Sequence, residues 1–308
     1  MINDCAFVGA TLLKYLPIDV QKKHIKRSRN VWSKTFGISW QIFRASADIY
    51  HAHYLLQDCY IADRLGKKPL IGHAHGSDLR VSMHHWMWGR IVRHNLKSCS
   101  KILVSTPDVL SAAKNVRNNA EYLPNPVDEE LFYPKPLELR HEKMKVLIAS
   151  DCNWKVKGTD VAIKALGRVK HNVDVSIIST GVDVDKTLAL SHSIGLRLNL
   201  LPRRSHDRLN EYYWNADVVI DRFALGSMGM VSLEAIACGR PVLVYVSSEY
   251  LENEGFPLMD LCKEEEVAET LANLPGDLWK REHEFVQKYH DPDKVTSRLL
   301  EIYRALIE

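Results

Sequence analysis

The sequence predicts an α/β protein made of two Rossmann-like, doubly wound domains that face each other across a cleft. Three observations predict it. Short apolar stretches alternate with helix-like stretches along the chain, the pattern of parallel sheets covered by helices. The alternation breaks once, at NPVDEELFYPKP (125–136), which holds three prolines and no helical period and so reads as a joint. The length of 308 residues is enough for two ordinary domains. The expected division is residues 1–135 and residues 136–308.

The elements follow in order. ADIYHAHY (47–54) is a short strand-like stretch, and YLLQDCYIADRLG (54–66) a helix. KPLIGHAHG (68–76) is a second strand that runs into a loop at Gly76. MHHWMWGRIVRHNLK (83–97) reads as a helix and KILVS (101–105) as a strand. TPDVLSAAKNV (106–116) is a helix with a Thr-Pro start, a favoured opening because proline costs nothing at the first helical position. AEYLP (120–124) is a strand leading to the joint. The pattern then restarts: strand KVLIAS, helix Thr159–Val169, strand VDVSIIST, a helix near Lys186, strand LNLLP, helix HDRLNEYYWNA, strand DVVID, helix VSLEAIACG and strand PVLVYV. Their apolar runs are those of strands buried on both faces. The last helix, VTSRLLEIYRALIE, carries a stripe at Val295, Leu299, Ile302, Tyr303, Leu306 and Ile307, which packs against a body, expected to be the first domain.

Bulk properties exclude several classes. Hydrophobic residues are 46% and charged residues 26%, as in soluble globular proteins. No apolar run reaches bilayer length, and the start lacks a basic-then-apolar signal. Cys5, Cys59, Cys99, Cys152, Cys238 and Cys262 lie far apart with no C-x-x-C. They read as reduced thiols of a cytoplasmic protein, not as a disulfide or zinc framework. The net charge of +3 divides into +8 over residues 1–136 and −5 over the rest. The densest basic run, Lys22 to Arg29, reads as a solvated loop or strand edge, with an anionic membrane surface as the alternative. No stacking-aromatic motif of a nucleic-acid module is present.

One stretch carries chemistry. LGSMGMVSLEAIACGRP (225–241) follows the strand DVVID, and open α/β sheets bind ligands outside the carboxyl ends of their strands. Glycine lets backbone N–H groups come close to a ligand. A helix N-terminus adds unpaired donors and partial positive charge, which suits phosphate. Ala235, Ala237 and Gly239 let the helix approach the sheet. Glu234, one turn inside, is costly beside a phosphate unless it has another task, and holding vicinal ribose hydroxyls is such a task. The stretch therefore reads as a nucleotide-diphosphate pocket.

Four stretches together resemble the group 1, or family 4, retaining glycosyltransferases of the GT-B fold. GSMGMVSLEAIACGRPV resembles their donor-site signature, E-G-F-G-L-V-x-L-E-A-M-A-x-G-x-P-V. KPLIGHAHGSDLR resembles the strand that ends in a catalytic-loop histidine, here His75. LPNPVDEELFYP resembles their interdomain N-x-V-D…F-x-P joint, and VKGTDVAIKAL their K-G segment. The resemblance runs from about Asp48 onward. It implies sugar transfer from a nucleotide donor to an acceptor hydroxyl, with retention and without a divalent metal or other cofactor. The donor would lie mainly on residues 136–308 and the acceptor on residues 1–135. It assigns catalytic roles to His75, Lys157 and Asp78. Donor contacts fall to Glu234, Gly226, Ser227, Gly229, Met230, Val231, Lys155 and Arg203.

The sequence departs from that family in three places. The family's first signature glutamate falls on Gly226, so sugar recognition must differ, and Asp221 is the nearby carboxylate. An arginine commonly sits where Cys152 stands, with Lys155 as the expected substitute. The opening MINDCAFVGATLLKYLP resembles the tail of the family's first loop and its first helix. The expectation is a truncated sequence with a gap where the first strand would pair.

Other features take plainer readings. His51, His53, His73 and His75 form two H-A-H pairs, each on one strand face. They read as strand-end histidines lining the cleft, because no carboxylate cluster has ligand spacing. Asp183 and Asp185 form a D-x-D that reads as helix capping, as do Asp291 and Asp293. MHHWMWGRIVRHNLK reads as a core-facing helix, with a membrane-surface role as the alternative. The functional expectation is a cytoplasmic glycosyltransferase at the inner membrane face, acting on a polysaccharide or lipid-linked acceptor. Its rivals are a catalytically impaired homologue serving as a partner subunit and a nucleotide-sugar epimerase of the same fold.

Overall fold

The computed structural model describes residues 1–27, 36–136, 142–248, 261 and 263–308. Ser28 and Arg29 of the basic run, and Cys262, fall outside the described residues. The chain forms two compact units. One is Met1–Pro126 with Tyr289–Glu308, and the other is Val127–Lys288. Residues 289–308 are thus part of the first unit, and the units divide at the start of the proline-bearing joint.

The first unit is built on a parallel sheet of order β1-β2-β3-β4, with β1 Tyr50–His53, β2 Leu70–Ala74, β3 Lys101–Val104 and β4 Glu121–Tyr122. β1 and β2 are wholly buried, as strands covered on both faces are, and their histidines are buried with them. The register sets His51 against Ile71 and His53 against His73. Beyond β1, Ile2 makes single parallel bridges to Ala52 and to Ile25. The Ile2 N–H donates to the His51 carbonyl at 2.8 Å, and the Ile2 carbonyl accepts from His53 at 3.0 Å. A cavity of about 660 Å³ opens beside these bridges, lined among others by Met1, Ile2, Tyr50, His51 and Tyr303. It holds none of the donor-signature residues.

Helices Val8–Tyr15, Gln57–Arg64, Trp88–Ser98 and Pro292–Ile307 belong to this unit. The last buries Val295, Leu299 and Ile302 of the expected stripe and packs against Val8–Tyr15. The segment expected to be one helix from Met83 divides. Ser82–His84 is a single tight 3-10 turn, and the helix starts at Trp88. Val92 and Leu96 face the core, whereas Trp86 is 75% exposed. The core-facing reading therefore holds for the helix and not for the turn before it. Of the basic run, Arg27 forks onto Asp58 at 2.8 and 2.5 Å, so it is tied inward. Lys22, Lys23 and Lys26 are exposed.

The second unit holds a parallel sheet of order β7-β6-β5-β8-β9. Its strands are β5 Met144–Ile148, β6 Val173–Ile178, β7 Leu198–Leu201, β8 Val218–Ile220 and β9 Val242–Leu243. The chain order winds outward in both directions from β5, and the junction of β5 with β8 is where a doubly wound sheet opens a crevice at its carboxyl end. Helices Trp154–Lys157, Thr159–Arg168 and Met230–Ala237 begin on that side. The core gathers Val146, Ile148, Ile163, Leu166, Val175, Val218 and Ile220. Among the helices that the alternation did not name are Ile38–Arg44, Glu264–Ala272 and Leu278–Tyr289. No helix among the described residues is long and apolar enough to cross a membrane.

Candidate active site

The second unit brings four signature features to the carboxyl end of β8. β8 ends at Ile220, and Asp221 and Arg222 follow. The chain turns through Gly226 and enters helix Met230–Ala237 with Gly229 as its N-cap. The first N–H groups of that helix, from Met230 and Val231 onward, have no intrahelical acceptors. Gly226 has φ +62°, and a Cβ there would stand 3.0 Å from Ser247 and 3.1 Å from Tyr245. A left-handed conformation in so close a space favours glycine, and a glutamate here would be strained and would need Ser247 or Tyr245 to give way. The Ser227 hydroxyl is buried without a hydrogen-bond partner.

Lys157 closes the short helix Trp154–Lys157, which Asn153 caps by accepting from the Val156 N–H at 3.0 Å. The carbonyl of Lys157 accepts from the Phe223 N–H at 2.7 Å, so this lysine is tied to the residues that follow β8. Its ammonium has no hydrogen-bond partner among the described residues. Burial lowers the Lys157 pKa, Asp221 pushes it up and Arg222 pushes it down. Lys155 lies on the same short helix but is exposed, two positions away and so on another face. It does not take up the place of Cys152, which is buried and packed against Gly181.

Asp221 was the carboxylate expected near the sugar. Its side chain is buried, accepting from the Ser150 hydroxyl at 2.9 Å, the Ser232 hydroxyl at 2.7 Å and Arg222 Nε at 3.3 Å. Burial pushes its pKa up, but Arg222, Lys157 and the two hydroxyls outweigh that and hold it below the usual range. The carboxylate therefore serves as an anionic anchor beneath two cations.

Glu234 is 2% exposed. One oxygen pairs with His206 Nε2 at 2.7 Å and the other accepts from the Tyr213 hydroxyl at 3.0 Å. Burial raises its pKa, and His206 and Tyr213 pull it back. An ionised carboxylate has about four acceptor sites, so two hydrogen bonds leave room for a diol. Phe132 stacks edge-on against His206 with ring centres 5.1 Å apart. His206, Tyr213 and Arg222 are the residues that sequence reading missed. The Asp-Arg dipeptide at a strand end was the available signal for the last. Arg203 is exposed, and Arg204 lies over the Tyr212 ring and pairs with Glu211.

In the first unit, Asp78 is buried and clamps two backbone amides. It accepts from the His75 N–H and from the Leu55 N–H, each at 3.0 Å. Burial raises its pKa to about 6. It thus fixes the loop that carries His75. The His75 ring accepts from or donates to His53 Nδ1 at 2.9 Å, and His51 Nε2 meets His73 Nδ1 at 3.1 Å. His51, His53 and His73, read from the sequence as strand-end histidines lining the cleft, are at most 1% exposed and lie against one another inside the first unit. Ligand atoms of these three lie within 4.8 Å of one another. Burial and mutual repulsion hold the row neutral, the state that could also take a metal. Asp183 corrects a further detail: it does not cap its own helix but accepts from the Trp154 N–H at 3.0 Å. Asp291 caps as expected, accepting from the Lys294 N–H at 2.8 Å.

Residues 130–254 match the family model of the glycosyl transferases group 1. N-acetyl-alpha-D-glucosaminyl L-malate synthase of Bacillus anthracis is 21% identical over 216 residues, 65% of this chain and 57% of that protein. An uncharacterized glycosyltransferase of Methanocaldococcus jannaschii is 26% identical over 121 residues, 38% of this chain and 31% of that protein. The chain thus spans well under two thirds of either relative. Among solved structures, Anabaena HepE in complex with UDP and glucose superimposes with a TM-score of 0.75 at 15% identity, covering 92% of this chain and 86% of that one. Sucrose-phosphate synthase from Thermosynechococcus elongatus gives 0.71 at 17% identity, with 95% and 87% covered. These matches agree with the resemblance carried by the sequence motifs.

Proposed function

We propose, from the premise that residues 130–254 are a group 1 glycosyltransferase domain in a chain of GT-B fold, that this protein moves a sugar from a nucleotide-diphosphate donor to an acceptor hydroxyl with retention at the anomeric carbon. The observation that carries the proposal is the unpartnered Lys157 ammonium, tied by the Phe223 amide to the end of β8, where the turn into helix Met230–Ala237 begins.

The chemistry follows from charge. As the glycosidic bond breaks, the departing nucleoside diphosphate gains negative charge, and fixed donors that meet it there lower the barrier. Lys157 supplies a cation whose desolvation is already met by the fold. The amides at Met230 and Val231 supply oriented dipoles. Glu234 accepts from the ribose hydroxyls. His75, held by Asp78, serves the sugar and its oxocarbenium-like centre. No metal is assigned to the step, since lysine and amides can do the neutralising. HepE was solved with UDP and glucose, so UDP-glucose is the first donor to test. A polysaccharide or lipid-linked glycan is the proposed acceptor, met at the cytoplasmic face of the membrane through the basic first unit.

Lys157→Ala tests the reading. Turnover of the donor, followed as release of nucleoside diphosphate, should fall about a hundredfold or more with the unfolding midpoint unchanged. Turnover equal to that of the native chain removes Lys157 from the mechanism. The tight left-handed Gly226, which stands where the resembled family has a glutamate, favours one second reading, a homologue that binds donor without transferring. Donor binding with no release of nucleoside diphosphate by the native chain would select it.

A further inference from the structure

Arg222 has no role in the site so far beyond its contact with Asp221. Its side chain is 14% exposed, and only Nε is engaged, at 3.3 Å from Asp221 Oδ2. The two terminal nitrogens have no partner among the described residues. A guanidinium held so far from water with its fork unused is costly unless the fork has a ligand.

Its position says which ligand. A Cβ added to Gly229 would stand 1.9 Å from Arg222 Nη2 and 2.7 Å from Cζ. The guanidinium therefore lies directly against the N-cap residue of helix Met230–Ala237. Gly229 has φ −108°, which any residue can adopt, so its conformation does not demand glycine. A Cβ there would instead push the Arg222 guanidinium out of its present place. A second orphan points to the same turn: the Ser227 hydroxyl, 1% exposed, has no partner among the described residues. Lys157 is the neighbour on the other side, bonded through its carbonyl to Phe223, the residue after Arg222.

We propose that Arg222 is a second cation for the donor diphosphate, forking onto phosphate oxygens at the mouth of helix Met230–Ala237 while Lys157 acts from the side, with the Ser227 hydroxyl as a third donor. The inference rests on the donor reading above and deepens it. A planar fork matches two oxygens of one phosphate, whereas an ammonium acts as a point charge. Asp221 is the orienting group: it holds Nε and leaves the two terminal nitrogens to the ligand. Two cations over one buried carboxylate leave a net positive site, which suits two phosphates better than one.

The test is the preference for diphosphate over monophosphate. UDP and UMP, with GDP, GMP, ADP and AMP as the alternative bases, are titrated calorimetrically into the full chain and into Arg222→Met, Arg222→Lys and Lys157→Ala. Arg222→Met should weaken the diphosphate about tenfold or more and the monophosphate far less, with an unchanged melting temperature. Arg222→Lys should fall between, because charge survives and the fork does not. Gly229→Ala, which displaces the guanidinium without altering it, should reproduce the loss and guards against an unfolded Arg222→Met. An unaltered diphosphate-to-monophosphate ratio in the Arg222 variants overturns the inference. If Lys157→Ala lowers that ratio in the same experiment, the donor reading survives alone. Failure of the native chain to bind any of the three diphosphates overturns both.

Discussion

The two units share an architecture and differ in what they bury. The first unit hides imidazoles: His51, His53, His73 and His290 are at most 2% exposed. The second hides carboxylates: Glu234 is 2% exposed and Glu282 fully buried. Both solve the same problem, since a charge taken out of water must be paired or neutralised. They solve it in opposite proton directions. Burial lowers the histidines, His73 to about 3 and His290 to about 4, so they stay neutral by losing a proton. Burial raises Glu282 well above the usual carboxylate range, so it stays neutral by keeping one, and it raises Glu234 in the same direction while His206 and Tyr213 pull that group back. Two parallel sheets of like design should therefore fail at opposite ends of the pH scale.

The largest effect expected is selective loosening of the first unit in acid. A histidine lowered in the fold contributes stability that is fully present above its unfolded value near 6.5 and is lost as pH falls below it. For His73, lowered to about 3, the loss is about 2 kcal/mol by pH 5. The other buried histidines act in the same direction, and several together approach the whole stability of a domain. Asp78, raised to about 6, opposes them: its share grows as pH falls, and it offsets one histidine at most. Hydrogen exchange at pH 7.5 and 5.0 should show peptides from β1, β2 and β3 losing protection first, while β5, β6 and β8 hold. Loss in both units together, or first in β5 to β8, would break the contrast.

The second effect belongs to the alkaline side. Glu282 Oε2 accepts from the Val242 N–H at 2.8 Å, and Oε1 has no partner. Its pKa is raised well above the usual value by burial. A carboxyl raised in the fold gives stability that is present below its unfolded value near 4.5 and is lost as pH rises through the folded value. Glu282→Gln keeps the acceptor for Val242 and removes the charge. It should stabilise the second unit at pH 8, with the gain shrinking toward pH 4. Denaturant unfolding across that range measures it, and a gain that does not depend on pH would mean that repacking, not ionisation, is responsible.

Much of this was legible in the residues, and the gaps have physical causes. The nine strands among the described residues fall on the stretches read as strands, because each keeps an apolar run even where a polar residue interrupts it, as Asp174 does in β6 and Asn199 in β7. Helix Glu264–Ala272 escaped notice although Val267, Ala268 and Leu271 give it a buried stripe. Three glutamates open it and mute the apolar period. The glycines of the donor turn were read alike, as places where backbone meets ligand. The structure separates them: Gly226 adopts a left-handed conformation, whereas Gly229 leaves room in which the Arg222 guanidinium lies. Sequence spacing carries no sign of that difference, because it depends on where a side chain from seven residues earlier comes to rest. The partners of Glu234 were hidden for the same reason. His206 and Tyr213 lie 28 and 21 residues away, and only folding joins them.

The smallest effect sharpens the comparison most directly, because it sets equal losses of stability against unequal losses of function. Asp291 caps helix Pro292–Ile307 in the first unit, and Asn153 caps helix Trp154–Lys157 in the second. Each cap satisfies one backbone donor, so Asp291→Ala and Asn153→Ala should each cost about 1 kcal/mol. Their consequences should differ. The Asp291 helix carries none of the donor residues. The Asn153 turn ends in Lys157, and its other ties at the start are the Asp183 carboxylate on the Trp154 N–H, the Thr159 hydroxyl on the Asn153 N–H and the Trp154 indole on the Thr187 hydroxyl. Loosening it lets the ammonium wander from the end of β8. UDP titration of the two variants should therefore show affinity retained in Asp291→Ala and reduced several-fold in Asn153→Ala. Equal affinities would mean that the Phe223 amide holds Lys157 in place without the cap, so that the rigidity of the donor site comes from β8 and not from the short helix.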